Sequence, residues 1–153
     1  MPLAHINIGS NTGHRHALIE KAVACVAQLS QGAVYLCEPV ETEPWGYSSP
    51  NPYLNLAMAI TLKGEVDEKR AVGLLRNLLD IEHTLSDMPH RNDDGSYRDR
   101  EIDIDLIAIE SLCVSTPDLE LPHPRMHLRP WVWRGVLELQ PGWTHPLSLP
   151  LND

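Results

Sequence analysis

The sequence predicts an α+β fold, a β-α-β-β-α-β core with an antiparallel sheet and a Pro-rich C-terminal extension. Three observations carry this. Strand-like segments fall at 3–9, 33–40, 53–62 and 101–109. Segments with helical spacing, 14–29 and 67–85, follow the first and third of these strands. Clusters of Gly, Pro, Asn and Ser separate the elements, as chain reversal requires.

Residues 3–9 (LAHINIG) alternate and end in Gly. In 14–29, Leu18, Ala22, Val26 and Leu29 form one helical stripe, with Asn11 or Thr12 as its expected cap. Residues 33–40 (AVYLCEPV) suit a second strand, and ETEPWGYSSPNP, with three prolines and a Gly, must be a loop. In 53–62, one face shows Leu54, Leu56, Met58 and Ile60; the other starts with Tyr53 and Asn55, then shrinks to Ala57 and Ala59. Asp67 is the expected cap of the second helix, whose stripe is Leu74, Leu78, Ile81 and Leu85, with Glu82 beside its C-terminal end. Residues 86–99 are polar, and a loop of that length in a compact domain is usually functional or disordered. The fourth strand is expected at 101–109, and WVWRGVLEL packs on the core as helix or strand. This order is the split-βαβ pattern of ferredoxin-like folds. At 153 residues the expectation is a single domain, 1–153, and a monomer.

A net charge of −9 argues against general binding of nucleic acid or an anionic membrane, but a local Arg cluster suffices for a small anion. The N-terminus has no basic and apolar leader pattern, and no apolar run reaches spanning length. Cys25, Cys37 and Cys113 are odd in number and far apart, which predicts reduced, buried thiols and a cytoplasmic protein.

The stretch REIDIDLI carries the strongest chemical signal. On a strand, Glu101, Asp103 and Asp105 share a face, and Ile107 and Ile109 continue it. Same-face neighbours lie about 6.5–7 Å apart, a spacing at which two carboxylates converge on one hard cation or two adjacent ones. Mg2+ is the usual guest, because it takes one or two carboxylates and completes its shell with water and phosphate oxygens. An Asp-x-Asp pair alone equally describes a solvated strand mouth or a glycosidic acid/base pair. Six of the nine arginines fall between 91 and 134: Arg91, Arg98, Arg100, Arg125, Arg129 and Arg134. His123, Arg125, His127 and Arg129 share one face if their segment is extended. Surface pairing with acids explains arginines too, but each such pair contributes little. Acids, guanidiniums and a long loop together suit metal-assisted phosphoryl transfer. No P-loop motif is present. His14 and His16 do not face each other on a helix, and His5, His83, His90 and His145 carry no readable signal. Trp45 and Tyr53 could sandwich a flat heterocycle whose edge Asn55 reads; a core Tyr and a rim Trp is the plainer reading.

In order and spacing, INIGSN, ETEPWG, YLN, REIDIDL and LPHPRMHLR resemble the 6-hydroxymethyl-7,8-dihydropterin pyrophosphokinase family, over nearly the whole chain. The resemblance implies a ferredoxin-like fold and transfer of the pyrophosphoryl group of ATP to a pterin alcohol in folate biosynthesis, with two Mg2+ ions. It implies Asp103 and Asp105 as Mg2+ ligands, and Arg100, His123 and Arg129 on ATP with Glu82 near the nucleotide. Thr42, Pro44, Trp45, Tyr53 and Asn55 would form the pterin pocket, closed by Trp131. After Glu82 the family carries a Gly-Arg-x-Arg type stretch where this chain has HTLSDMPHR, and Tyr97 replaces a Trp. Arg91, helped by Arg98, is expected to supply the missing guanidinium. A diverged module that binds pterin or nucleotide without turnover, and a Mg2+-dependent phosphohydrolase, are the alternative expectations.

Overall fold

The structure, a computed structural model, describes residues 1–152. In chain order the elements are β1 (Leu3–Ser10), α1 (Arg15–Ala27), β2 (Val34–Leu36), β3 (Val40–Thr42), β4 (Tyr53–Thr61), α2 (Glu68–Leu85), β5 (Asp103–Ile109), β6 (Val114–Ser115), β7 (Glu120–Leu121), a 3-10 turn at Met126–Leu128 and α3 (Pro130–Leu139). The main sheet runs β2-β4-β1-β5, with β3 also beside β4. Every pairing is antiparallel. This is the predicted ferredoxin-like core.

Alternation on β1 sorts the two faces. Ala4, Ile6 and Ile8 point to a core shared with Ile19, Ala22 and Val26 of α1 and Ala71, Leu74 and Leu78 of α2. Each fully buried aliphatic side chain there contributes roughly 1.5–3 kcal/mol. Asp67 caps α2 as predicted, accepting the Arg70 N–H at 2.9 Å. Glu82 takes a buried place in the α2 stripe, while Ile81 and Leu85 are only partly covered.

The stripe of α1 is Ile19, Ala22 and Val26; Leu18 is half-buried and Leu29 lies beyond the helix. Neither Asn11 nor Thr12 caps it, for the cap position is His14, whose side chain makes no capping bond. The predicted strand 33–40 is split. Leu36 pairs with Met58 and the Cys37 N–H reaches Ala57 O, but Val40 already faces Asn55. Glu38 and Pro39 thus bulge opposite Leu56, the kind of edge position where Pro is tolerated.

A bulge in β5 overturns the Ile107/Ile109 expectation. His5 pairs with Ala108 and Ile6 with Leu106, leaving Ile107 as the extra residue. Ile107 and Ala108 both join a second core with Met126, Val132, Val136 and Trp143, whereas Ile109 turns to the main core. That second core lies under α3, which starts on Pro130, a residue suited to the first helical turn. A Cβ on Gly135 would stand 2.4 Å from the Ala57 Cβ, so α3 meets β4 only because both residues are small. The three cysteines are free, but Cys25 and Cys37 are half-buried and Cys113 is exposed, against the expectation of buried thiols. Among the described residues no helix is long and apolar enough to cross a membrane.

Candidate active site

The sheet face opposite α1 and α2 is only half covered by α3. Register brings Asp105 beside Asn7, and Asp103, Gly9 and Asn55 into one row across three strands. Thr42 lies beside Tyr53 on the outer side of β4. The result is a cavity of about 500 Å3 on this open half.

Eleven of the predicted site residues line it: Thr42, Trp45, Tyr53, Asn55, Arg91, Arg100, Asp103, Asp105, His123, Arg129 and Trp131. Pro44, Arg98 and Glu82 do not. Glu101 lies before β5 rather than on it, and its carboxylate accepts the Ser86 hydroxyl at 3.0 Å. The third acid of the predicted face is therefore drawn off to the loop.

One end of the cavity is built for anions. Arg100 donates to Asp103 at 2.8 Å. The His123–Arg129 segment turns at Met126–Leu128 instead of staying extended, so His123, Arg125 and Arg129 face the cavity while His127 lies edge-on to His145. The His123 N–H bonds Ile107 O at 2.7 Å, which ties that segment to β5. Burial, reinforced by Arg129, lowers the His123 pKa to about 4, so its ring is neutral near pH 7. Arg129 lies 4.5 Å from the Trp45 ring centre and Arg91 3.8 Å from that of Tyr97. The side-chain Nε atoms of Arg100 and Arg129 are buried without a partner, so donor capacity remains for a ligand.

The other end is flat and polar-edged. Asn55 donates to the Thr42 hydroxyl at 2.7 Å and accepts from Asn7 at 3.3 Å. Asn7 Oδ1 is buried and unpartnered at the cavity wall. Trp131 and Tyr53 supply aromatic surface.

Beneath Asp103, at the sheet edge, lies a group of which the sequence announced Glu82 but not His90. Glu82 accepts the Ile104 N–H at 2.6 Å, and His90 reaches both Glu82 (3.4 Å) and Asp103 (3.8 Å). Burial first, then Asp103 and Asp105, pushes Glu82 up to about 8, and burial lowers His90. Both shifts favour the neutral forms, so their contact near pH 7 is no full ion pair. Burial, then Asp103, raises Asp105 as well.

Sequence reasoning also missed Asn11 and Asp99. Asp99 Oδ1 accepts from Asn11 Nδ2 at 2.8 Å and from the Tyr47 hydroxyl at 2.9 Å, and Oδ2 accepts from Asn51 at 2.7 Å. Burial opposes ionisation of Asp99, but hydrogen bonds from Asn51, Ser49, Tyr47 and Asn11 outweigh it and hold the carboxyl below its usual range. INIGSN holds Asn11 in plain sight, but nothing in its spacing says that its partners lie 36 and 88 positions away.

Comparison with known proteins agrees with this geometry. Residues 5–141 match the family model described as 7,8-dihydro-6-hydroxymethylpterin-pyrophosphokinase. The chain is 34% identical over 148 residues to the 2-amino-4-hydroxy-6-hydroxymethyldihydropteridine pyrophosphokinase of Porphyromonas gingivalis, covering 95% of each protein. It is 28% identical over 138 residues to the protein of the same name from Bacillus subtilis, covering 90% of this chain and 77% of that one. It is 27% identical over 147 residues to folic acid synthesis protein fol1 of Schizosaccharomyces pombe, covering 95% of this chain but 19% of that one. The chain belongs to the 7,8-dihydro-6-hydroxymethylpterin-pyrophosphokinase family.

Proposed function

We propose that this protein transfers the pyrophosphoryl group of ATP to the hydroxymethyl oxygen of 6-hydroxymethyl-7,8-dihydropterin, a step of folate biosynthesis. The observation that carries this reading is one cavity with two aspartates and four arginines at one end and a Tyr, Trp and Asn at the other. The alcohol oxygen attacks the β-phosphorus, the bond from that phosphorus to the α-bridging oxygen breaks, AMP leaves and the alcohol proton is released.

The donor set fits Mg2+. Asp103 and Asp105 are hard oxygen ligands on one face, and a divalent cation would offset the cost of ionising buried Asp105. Two ions held there would neutralise charge on the bridging phosphate oxygens. Arg100, Arg129 and His123 would orient the triphosphate, and Arg91 would close on it from the 86–99 loop. Thr42, Asn55, Tyr53 and Trp131 would hold the pterin plane, so that the alcohol lies near the β-phosphorus.

Incubation with ATP, Mg2+ and the pterin should yield AMP and pterin diphosphate in equal amounts. Asp103→Ala should lower kcat by about 10²–10³-fold or more. No AMP under conditions where both ligands bind would defeat the reading, as would ATP consumption indifferent to the pterin.

A further inference from the structure

We propose that Asp99 is a positioning residue that joins the two substrate loops, 43–52 and 86–99, so that ordering one orders the other. The proposal rests on the functional reading above only for the identity of the ligands. Loop 43–52 brings Trp45 into the cavity against Arg129, and loop 86–99 brings Arg91 and Tyr97 to the phosphate end.

Two independent contacts join them. One is the Asp99 carboxylate, which accepts from Tyr47 and Asn51 of the other loop and from Asn11 at the end of β1. The other is apolar: Tyr47 and Tyr97 stack with centroids 6.2 Å apart, and Tyr97 lies so close to Gly46 that a Cβ there would meet its ring at 3.0 Å. Gly46 has φ +85°, a second reason that only Gly serves at this crossing.

Asn11 is the anchor. It is buried, its Oδ1 accepts the Arg100 N–H at 2.7 Å, and its own N–H donates to Arg100 O at 3.0 Å. The residue that holds Asp99 therefore also fixes the backbone of Arg100, which grips Asp103. As a carboxylate, Asp99 accepts from Asn11, Tyr47 and Asn51, which point N–H or O–H groups at it. An alanine in its place leaves these donors without an acceptor, whereas an amide keeps an oxygen for Asn11 and Tyr47 and can donate to Asn51 once that side-chain amide turns over.

That chemistry sets the test. Asp99→Ala removes the junction, and Asp99→Asn, of nearly the same volume as the wild type, keeps it. In the ligand-free protein, hydrogen exchange of the 45–49 amides should quicken about tenfold or more in Asp99→Ala and stay near the wild-type rate in Asp99→Asn, with the sheet amides unmoved. For binding, a non-hydrolysable ATP analogue with Mg2+ should tighten pterin affinity in the wild type, within the roughly 5–150-fold range of such couplings. In Asp99→Ala that factor should fall towards one while each ligand alone binds nearly as before, and Asp99→Asn should retain it. Unchanged exchange of 45–49 in Asp99→Ala, no coupling in the wild type, or coupling that survives Asp99→Ala would each overturn the proposal. A wild type that binds no pterin defeats the functional reading instead, and the exchange measurement by itself then upholds or overturns the junction.

Discussion

Gly9 leaves the cavity little room to give. It faces Asp103 on one side and Asn55 on the other, and a Cβ there would stand 3.1 Å from Asn55 Oδ1 and 3.4 Å from the Tyr53 ring. Those are two of the side chains assigned to the pterin. Gly9→Ala should raise the pterin Kd by about tenfold or more, since one misplaced carbon in a close pocket costs roughly 1–3 kcal/mol. ATP-analogue affinity should change much less, because the arginines proposed to hold the triphosphate are on other elements. Titration calorimetry with each ligand separates the two, and equal losses for both would contradict the division of the cavity. His90 shows the same scale from the other side. It reads as an unremarkable loop histidine until the fold sets it between Glu82 and Asp103.

Among elements, α3 decides the shape of the site by what it leaves uncovered. Its seat depends on Gly135 against Ala57. Gly135→Ala gains about 1 kcal/mol of helix propensity, yet the contact it creates should cost about 1–3 kcal/mol of overpacking. A net loss of stability in urea unfolding is the expected outcome, with part of it recovered by adding Ala57→Gly. A stabilised single variant would mean that α3 shifts freely on the sheet. For α2 the expectation is simpler. Asp67→Ala removes the cap bond to the Arg70 N–H and should cost about 1 kcal/mol, read by thermal or urea unfolding, without altering ligand affinity.

Across the whole molecule, His5 ties the sheet to the C-terminal segment. Its Nε2 meets Gln140 Oε1 at 2.7 Å, and the Gln140 amide donates to Glu110 at 2.8 Å. That orientation makes His5 Nε2 the donor and leaves buried Nδ1 as an unpartnered acceptor. Burial lowers the His5 pKa, although Gln140 and Glu110 act in the opposite direction. The unfolded chain therefore binds this proton more tightly than the folded one. Stability is fully present above the ordinary histidine value near 6.5 and is lost as pH falls below it towards the folded pKa. Burial lowers His90, His123 and His145 too, and these add to the same loss. Glu82 and Asp105, raised above their ordinary values, gain stability over the same range and oppose this loss, so the test is a difference: the stability of His5→Gln relative to the wild type should rise as pH falls below about 6.5. A variant with an unchanged slope would show that His5 takes up its proton without disturbance.

Periodicity, capping and residue type were enough to place the two core helices, the four main strands and the acid pair, because each is a local property that few neighbouring residues express. Asp67 and the Leu74 and Leu78 positions of the α2 stripe could be read this way. So could Asp103 and Asp105, which alternate onto one face before the bulge intervenes. Tertiary structure alone decided the rest. The bulge at Ile107 depends on how β1 and β5 slide past each other, and no spacing within one strand encodes that. Asn11 resembled a helix cap because nothing nearby offered it anything better; Asp99 did, from the far side of the fold. Local energetics set which segments fold and with what period. Where a buried polar group finds its partner depends on residues far away in the chain, and only the packed molecule brings them together.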